Sequence, residues 1–159
     1  MASLTLLNPE AFDNMQERLS RAVGVAVAHG LDMYMAMVLD ETESGMSPID
    51  GAFEDYSNAY KDYKESILGR PSSPVNLRVS GSINDYDIEV DVAPLSSVGE
   101  LYFSGNTYDG TPTGQALFIH QKGLGGFPVR RIFPEKIEEL PTEIKEEIRL
   151  KIIEEMNNA

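Results

Sequence analysis

The sequence predicts an α+β fold: an antiparallel β-meander sheet packed by a long N-terminal helix and a C-terminal helix. Three observations carry this expectation. Apolar residues recur at steps of three and four from Phe12 to Tyr34, alternate at steps of two between residues 75 and 92, and return to helical steps from Ile144 to Met156. Strands grouped between terminal helices indicate α+β rather than an alternating βαβ chain.

The first helix has a start signal in Asn8, a candidate N-cap, followed by Pro9 at the first helical position. Phe12, Met15, Leu19, Val23, Ala26, Val27, Leu31 and Tyr34 then form one stripe, and the helix is expected to end near Asp40. Gly24 and Gly30 lie inside it. Each costs about 1 kcal/mol against alanine, so they mark close packing of another element or a weak point. Met33, Met35 and Met37 read as adaptable packing. Residues 41–51 read as a loop. Residues 52–67 carry Phe53, Tyr56, Tyr60 and Tyr63 at helical steps, which makes a second helix plausible before the Gly69–Pro74 breaker.

The strands follow. Val75, Leu77 and Val79 alternate with polar residues up to Gly81, and Tyr86, Ile88, Val90 and Val92 alternate up to Pro94. Leu101–Phe103 and Ala116–Ile119 are further strand candidates, so the strand region is expected over 75–122 as three or four strands. Residues 122–134 form a Gly- and Pro-punctuated loop. The last helix, over 141–157, opens at Pro141 and carries Ile144, Ile148, Ile152 and Met156 one turn apart.

The chain has 159 residues, with 13 Lys and Arg against 26 Asp and Glu, a net charge of −13. That length suits one domain over 1–159. There is no cysteine, which excludes disulfides, iron–sulfur clusters and thiolate zinc sites. No apolar run is expected to approach the roughly 18 residues of a membrane span, and the N-terminus lacks a signal-peptide pattern. A soluble intracellular protein without membrane association is expected. The charge is uneven: residues 32–65 carry a net −7, residues 85–109 a net −6, and residues 120–136 a net +3. Such a surface repels nucleic acid and anionic membranes, and leaves one basic patch for an acidic partner.

Catalytic signatures are sparse. There is no HExxH, no Gly-x-Ser-x-Gly and no phosphate-binding loop, since Gly123-Leu124-Gly125-Gly126 lacks the following Lys-Ser/Thr. Of two histidines, His29 reads as a packed or surface residue of the first helix. Asp85, Asp87, Glu89 and Asp91 alternate and so share one strand face, where they could hold a hard cation. A solvated face explains the same alternation. A metal-dependent hydrolase built on Asp85, Asp87 and His120 has no specific motif behind it. No enzyme, no cofactor and no metal is the expectation.

An ordered set of motifs is more specific. Tyr60-Lys61-x-Tyr63-Lys64 and Gly69-Arg70 precede Val75-Asn76-Leu77-x-x-Ser80-Gly81-Ser82-Ile83, and then come Ile119-His120-Gln121-x-Gly123 and Pro128-x-Arg130-Arg131-Ile132-Phe133-Pro134. Across roughly residues 60–156, this order resembles the phage virion morphogenesis and tail-component families. The serine–isoleucine pair follows the glycine at once here, and the stretch 84–118 is long, so the match is shortened at one step and extended at the next.

The resemblance implies a non-enzymatic virion protein of a tailed-phage neck, assembled in the host cytoplasm. Its role would be tail completion, tail termination or head–tail joining. It implies a ring of this chain, expected as a hexamer, that contacts connector or stopper proteins and tail tube or sheath proteins. DNA would pass through its lumen without specific binding. Within that reading, Arg130, Arg131, Lys122 and His120 are expected at an inter-subunit contact with the Asp85, Asp87, Glu89 and Asp91 strand or the acidic C-terminal helix. Intramolecular pairing of the arginines to that helix is the competing expectation. An acidic DNA-mimic inhibitor of a nucleic-acid-binding enzyme is the alternative function.

Overall fold

The computed structural model describes residues 8–75, 82–94 and 96–158. The expected strand at Leu77 and Val79, and the bend at Gly81, lie outside the described residues. Helix α1 spans Pro9–Glu43, and the Asn8 side chain caps it by accepting the Ala11 N–H at 3.1 Å. The helix runs one turn past the expected end, and Thr42 donates its hydroxyl to the Val38 carbonyl in that last turn. Phe12 and Met15, the first residues of the predicted stripe, are exposed. Of that stripe Ala26 and Tyr34 are buried, Leu19, Val23, Val27 and Leu31 are half-buried, and Ala22, Met35 and Val38 beside it are buried as well.

The segment expected as a loop contains a small antiparallel pair, β1 (Met46–Ser47) and β2 (Gly51–Ala52). Helix α2 covers Asn58–Ser66, with Ser57 as its N-cap. Strands β3 (Tyr86–Ala93) and β4 (Ser96–Phe103) form an antiparallel hairpin in register from Tyr86↔Phe103 to Ala93↔Ser96. Helix α3 covers Thr113–Lys122 and α4 covers Thr142–Asn158. Pro141 stands one position before the α4 start, and its carbonyl accepts the Lys145 N–H.

The architecture is α+β, with the long first helix laid on a sheet. Among the described residues that sheet is the two-stranded β3–β4 hairpin, and one strand candidate is corrected. Ala116–Ile119 is the middle of α3. A run of four apolar residues fits either element. The deciding pattern is longer: Thr113, Leu117 and Gln121 are the buried residues of α3 and stand one turn apart, while Phe118 is exposed. Gly123 ends the helix at φ 63°, a left-handed turn that glycine adopts without steric cost.

Helix α1 is covered on two sides. The half-buried face of the hairpin (Ile88, Val90, Leu101, Phe103) lies on it, and α4 packs along it. Both internal glycines mark these approaches. A Cβ on Gly24 would sit 2.4 Å from Val92 Cγ2, and one on Gly30 would sit 2.4 Å from Ile148 Cγ1. The main core joins Tyr34, Met35 and Val38 to Ile83, Leu117, Ile132 and Ile144.

This double coverage accounts for part of the apolarity of α1. Contrary to the sequence expectation, its Glu10–Glu43 stretch is long and apolar enough by length and composition to span a membrane. Within it, Ala22, Ala26, Met35 and Val38 are buried, Val23, Val27 and Leu31 are half-buried, and Val25 is exposed. Gly30→Val should lower stability by about 2 kcal/mol in urea unfolding, because the branched side chain has to displace Ile148. Ile148→Ala in the same chain should recover part of that loss, a coupling that only contacting residues give.

Candidate functional site

The residues of the His-Gln and Pro-x-Arg-Arg motifs are two halves of one clamp. The segment from Arg130 to Phe133 runs extended beside α3 and β1 without joining a named strand. Its backbone polar groups still need partners. The Arg130 N–H donates to the His120 carbonyl at 2.9 Å. Ser47 donates its hydroxyl to the Arg131 carbonyl, and Tyr34 donates its own to the Ile132 carbonyl. Gln121 supplies the rest: its Oε1 accepts the N–H groups of Ile132 (2.9 Å) and Phe133 (3.1 Å), and its Nε2 donates to the Phe133 carbonyl. Burial of the Tyr34 hydroxyl raises its pKa.

Arg130 lies inside this clamp and is 2% exposed. Its Nη2 donates to the Glu54 carbonyl at 3.0 Å, and its Nη1 lies 3.3 Å from His120 Nδ1. Its guanidinium carbon sits 5.1 Å from the centre of the Tyr56 ring, and Lys64 Nζ sits 4.8 Å from the same centre. Both contacts place a cation near an aromatic ring. Among the described residues no carboxylate lies within ion-pair distance of Arg130, and its Nε has no hydrogen-bond acceptor. Burial lowers the pKa of both Arg130 and Lys64.

His120 is held at about 4, below its ordinary 6.5, first by burial and then by the Arg130 charge. The ring is therefore neutral at pH 7, and Nδ1 can accept from Arg130 when the proton is on Nε2. The edge of the ring meets Phe127, with centroids 5.3 Å apart. Between about pH 6.5 and 4 the unfolded chain holds a proton that the folded ring refuses, so stability falls as pH falls. His120→Asn should remove about 2 kcal/mol from the stability lost between pH 7 and 5. Urea midpoints of both proteins at the two pH values check this.

These surroundings change the predicted contact residues. Arg130 is buried, so it does not form a surface contact between copies of the chain. Arg131 pairs within the chain, with Asp50 at 3.3 Å and Glu139 at 2.6 Å, neither of them on the hairpin or on α4. Lys122 pairs with Glu135. Of the +3 segment, Arg131 is thus paired with acids from outside it and Lys122 with an acid inside it, while Arg130 is buried with no ion pair among the described residues. Asp87, Glu89 and Asp91 lie on the exposed face of the hairpin, with Asp85 exposed just before it. Glu100 joins them directly opposite Glu89. His120 faces Arg130 and Phe127, and no group of three or more His, Asp or Glu among the described residues could hold a metal ion.

Beside the clamp runs a groove of about 750 Å³, walled by α2, the 107–113 turn, α3 and the 125–130 segment. Tyr56, Tyr60 and Tyr63 form a ladder along one wall, with successive ring centroids 4.8 and 6.0 Å apart. Thr113, at the first position of α3, is buried, and its hydroxyl has no partner among the described residues. The sequence reading missed Thr113 and the wall role of Tyr56. It also missed the burial of Arg130, which the sequence Val129-Arg130-Arg131-Ile132 does not signal: the apolar Val129 is exposed and the charged Arg130 buried. No known protein family, curated protein or solved structure matches the chain.

Proposed function

We propose that the chain is a structural subunit of a tailed-phage neck, acting in tail completion, tail termination or head–tail joining as part of a ring around the DNA channel. One observation supports this reading most. Two of the motifs carrying the resemblance, Ile119–Gly123 and Pro128–Pro134, interlock through Gln121, His120 and Arg130. A fixed spacing of these residues then has a physical cause, since each half of the clamp satisfies polar groups of the other. The acidic hairpin face adds a surface that does not retain DNA phosphates.

The test begins with the DNA flanking the reading frame. Portal, capsid or head-closure frames on one side and tail tube or tape-measure frames on the other are expected. Co-expression with the flanking products should then give ring-shaped complexes by negative-stain electron microscopy. A frame among early or host-defence genes, or co-expression yielding only the free chain, overturns the assignment.

One observation favours a second reading, an acidic DNA mimic: Asp87, Glu89, Asp91 and Glu100 share an exposed strand face. That reading expects a monomer or dimer that inhibits a nucleic-acid-binding enzyme, and loss of inhibition when these four residues are neutralised.

A further inference from the structure

The groove beside the clamp has an unusual floor. A buried arginine is costly unless its charge is balanced and its donors are occupied. Arg130 has a ring face, a neutral imidazole and a carbonyl around it, and the Glu54 charge acts on it, but among the described residues no carboxylate is within ion-pair distance and its Nε–H is unpaired. The Thr113 hydroxyl, a second buried group of the same groove, is also unpaired. Helix α3 begins there at Pro112 with no side-chain cap, so the positive end of its dipole adds to the same potential.

We propose that this groove is a carboxylate-binding site, in which Arg130 and Thr113 take one carboxylate of a ligand whose apolar or aromatic body lies against Tyr56, Tyr60 and Phe127.

The guanidinium edge carrying Nε is a planar fork, the shape that pairs with a planar carboxylate. A volume of about 750 Å³ is that of a small-molecule or short-peptide site. Tyrosines offer such a ligand apolar area with few rotatable bonds. The rim selects against other anions. Glu54, Asp55 and Asp109 stand around the opening, and Asp109 is held in its charged form by the Thr107 hydroxyl and the Thr111 N–H. A phosphate dianion meets more repulsion there than a single carboxylate, and a polyphosphate or nucleic acid more still. The site stands independently of the ring reading.

The experiment titrates the full chain with phenylacetate, N-acetyl-phenylalanine and inorganic phosphate, following the His120 imidazole and the tyrosine ring resonances by NMR. Saturable shifts at His120 are expected with both carboxylates, and phosphate is expected to bind at least about tenfold more weakly. Tighter binding of N-acetyl-phenylalanine identifies a polypeptide as the source of the carboxylate, and equal or tighter binding of phenylacetate identifies a small aromatic acid. Thr113→Val preserves shape and should weaken binding about tenfold. Arg130→Lys, which keeps the charge without the fork, should abolish it. Absence of saturable shifts with either carboxylate overturns the proposal. So does phosphate binding as tightly as the carboxylates, or unchanged affinity in Thr113→Val, which remains decisive should Arg130→Lys fail to fold.

Discussion

Arg130→Glu is expected to abolish cooperative folding, with a loss of at least about 4 kcal/mol. The glutamate would place an anion where the guanidinium lies, 2% exposed and facing the Tyr56 ring and the Glu54 carbonyl. None of the groups around it could serve as a counter-ion except Lys64, whose Nζ lies 4.8 Å from the centre of the same Tyr56 ring. Arg130→Met should cost far less, since it removes the buried charge together with its desolvation penalty and keeps most of the volume. Urea unfolding followed by circular dichroism at pH 7 distinguishes the two. A glutamate variant as stable as the parent would mean that Arg130 is at the surface. A charge-reversal test of assembly therefore belongs at the exposed hairpin face, at Asp87 or Glu89, where substitution leaves the core intact.

Gln121→Leu is expected to destabilise the protein by about 3 kcal/mol. The leucine fits the space but leaves the N–H groups of Ile132 and Phe133 and the carbonyl of Phe133 without the amide that now serves all three. Each buried group left unpaired costs about 1–3 kcal/mol, reduced where water reaches the edge of the segment. Gln121→Glu should lose less, because a carboxylate still accepts from both N–H groups. Comparing the unfolding midpoints of the two variants tests whether the amide, and not the bulk of the side chain, fixes the 130–133 segment. Hydrogen exchange at Ile132 and Phe133 should accelerate in Gln121→Leu before exchange in α1 does, since α1 keeps its own helical ladder.

The elements differ in how much their residues reveal before folding. The Asn8-Pro9 start of α1, the two glycines inside it, the β3 alternation and the stripe of α4 follow from local periodicity and capping chemistry, and each recurs in the fold. Ala116–Ile119 is different. Four apolar residues fit a strand or a helix, and the choice falls to the core, which takes Thr113, Leu117 and Gln121 from one face. The charges behave likewise. Composition locates the basic residues of 120–136, yet not which of them pair: Glu135 and Glu139 are local partners, while Asp50 comes from a distant segment.

The sequence by itself determined the α+β class, the terminal helices, the alternation of β3 with its acidic outer face, and the order of a His-Gln step and a Pro-x-Arg-Arg step. These depend on periods of two and 3.6 and on residue chemistry, which act over a few positions. Only the tertiary structure decided that Arg130 is buried and that Arg131 is paired within the chain. It also brought Tyr56, from just before α2, to the same groove as Thr113 and His120 of α3. Burial and charge balance are properties of a three-dimensional neighbourhood. A cation reads the same in a linear sequence whether water, an aromatic face or a carboxylate finally surrounds it.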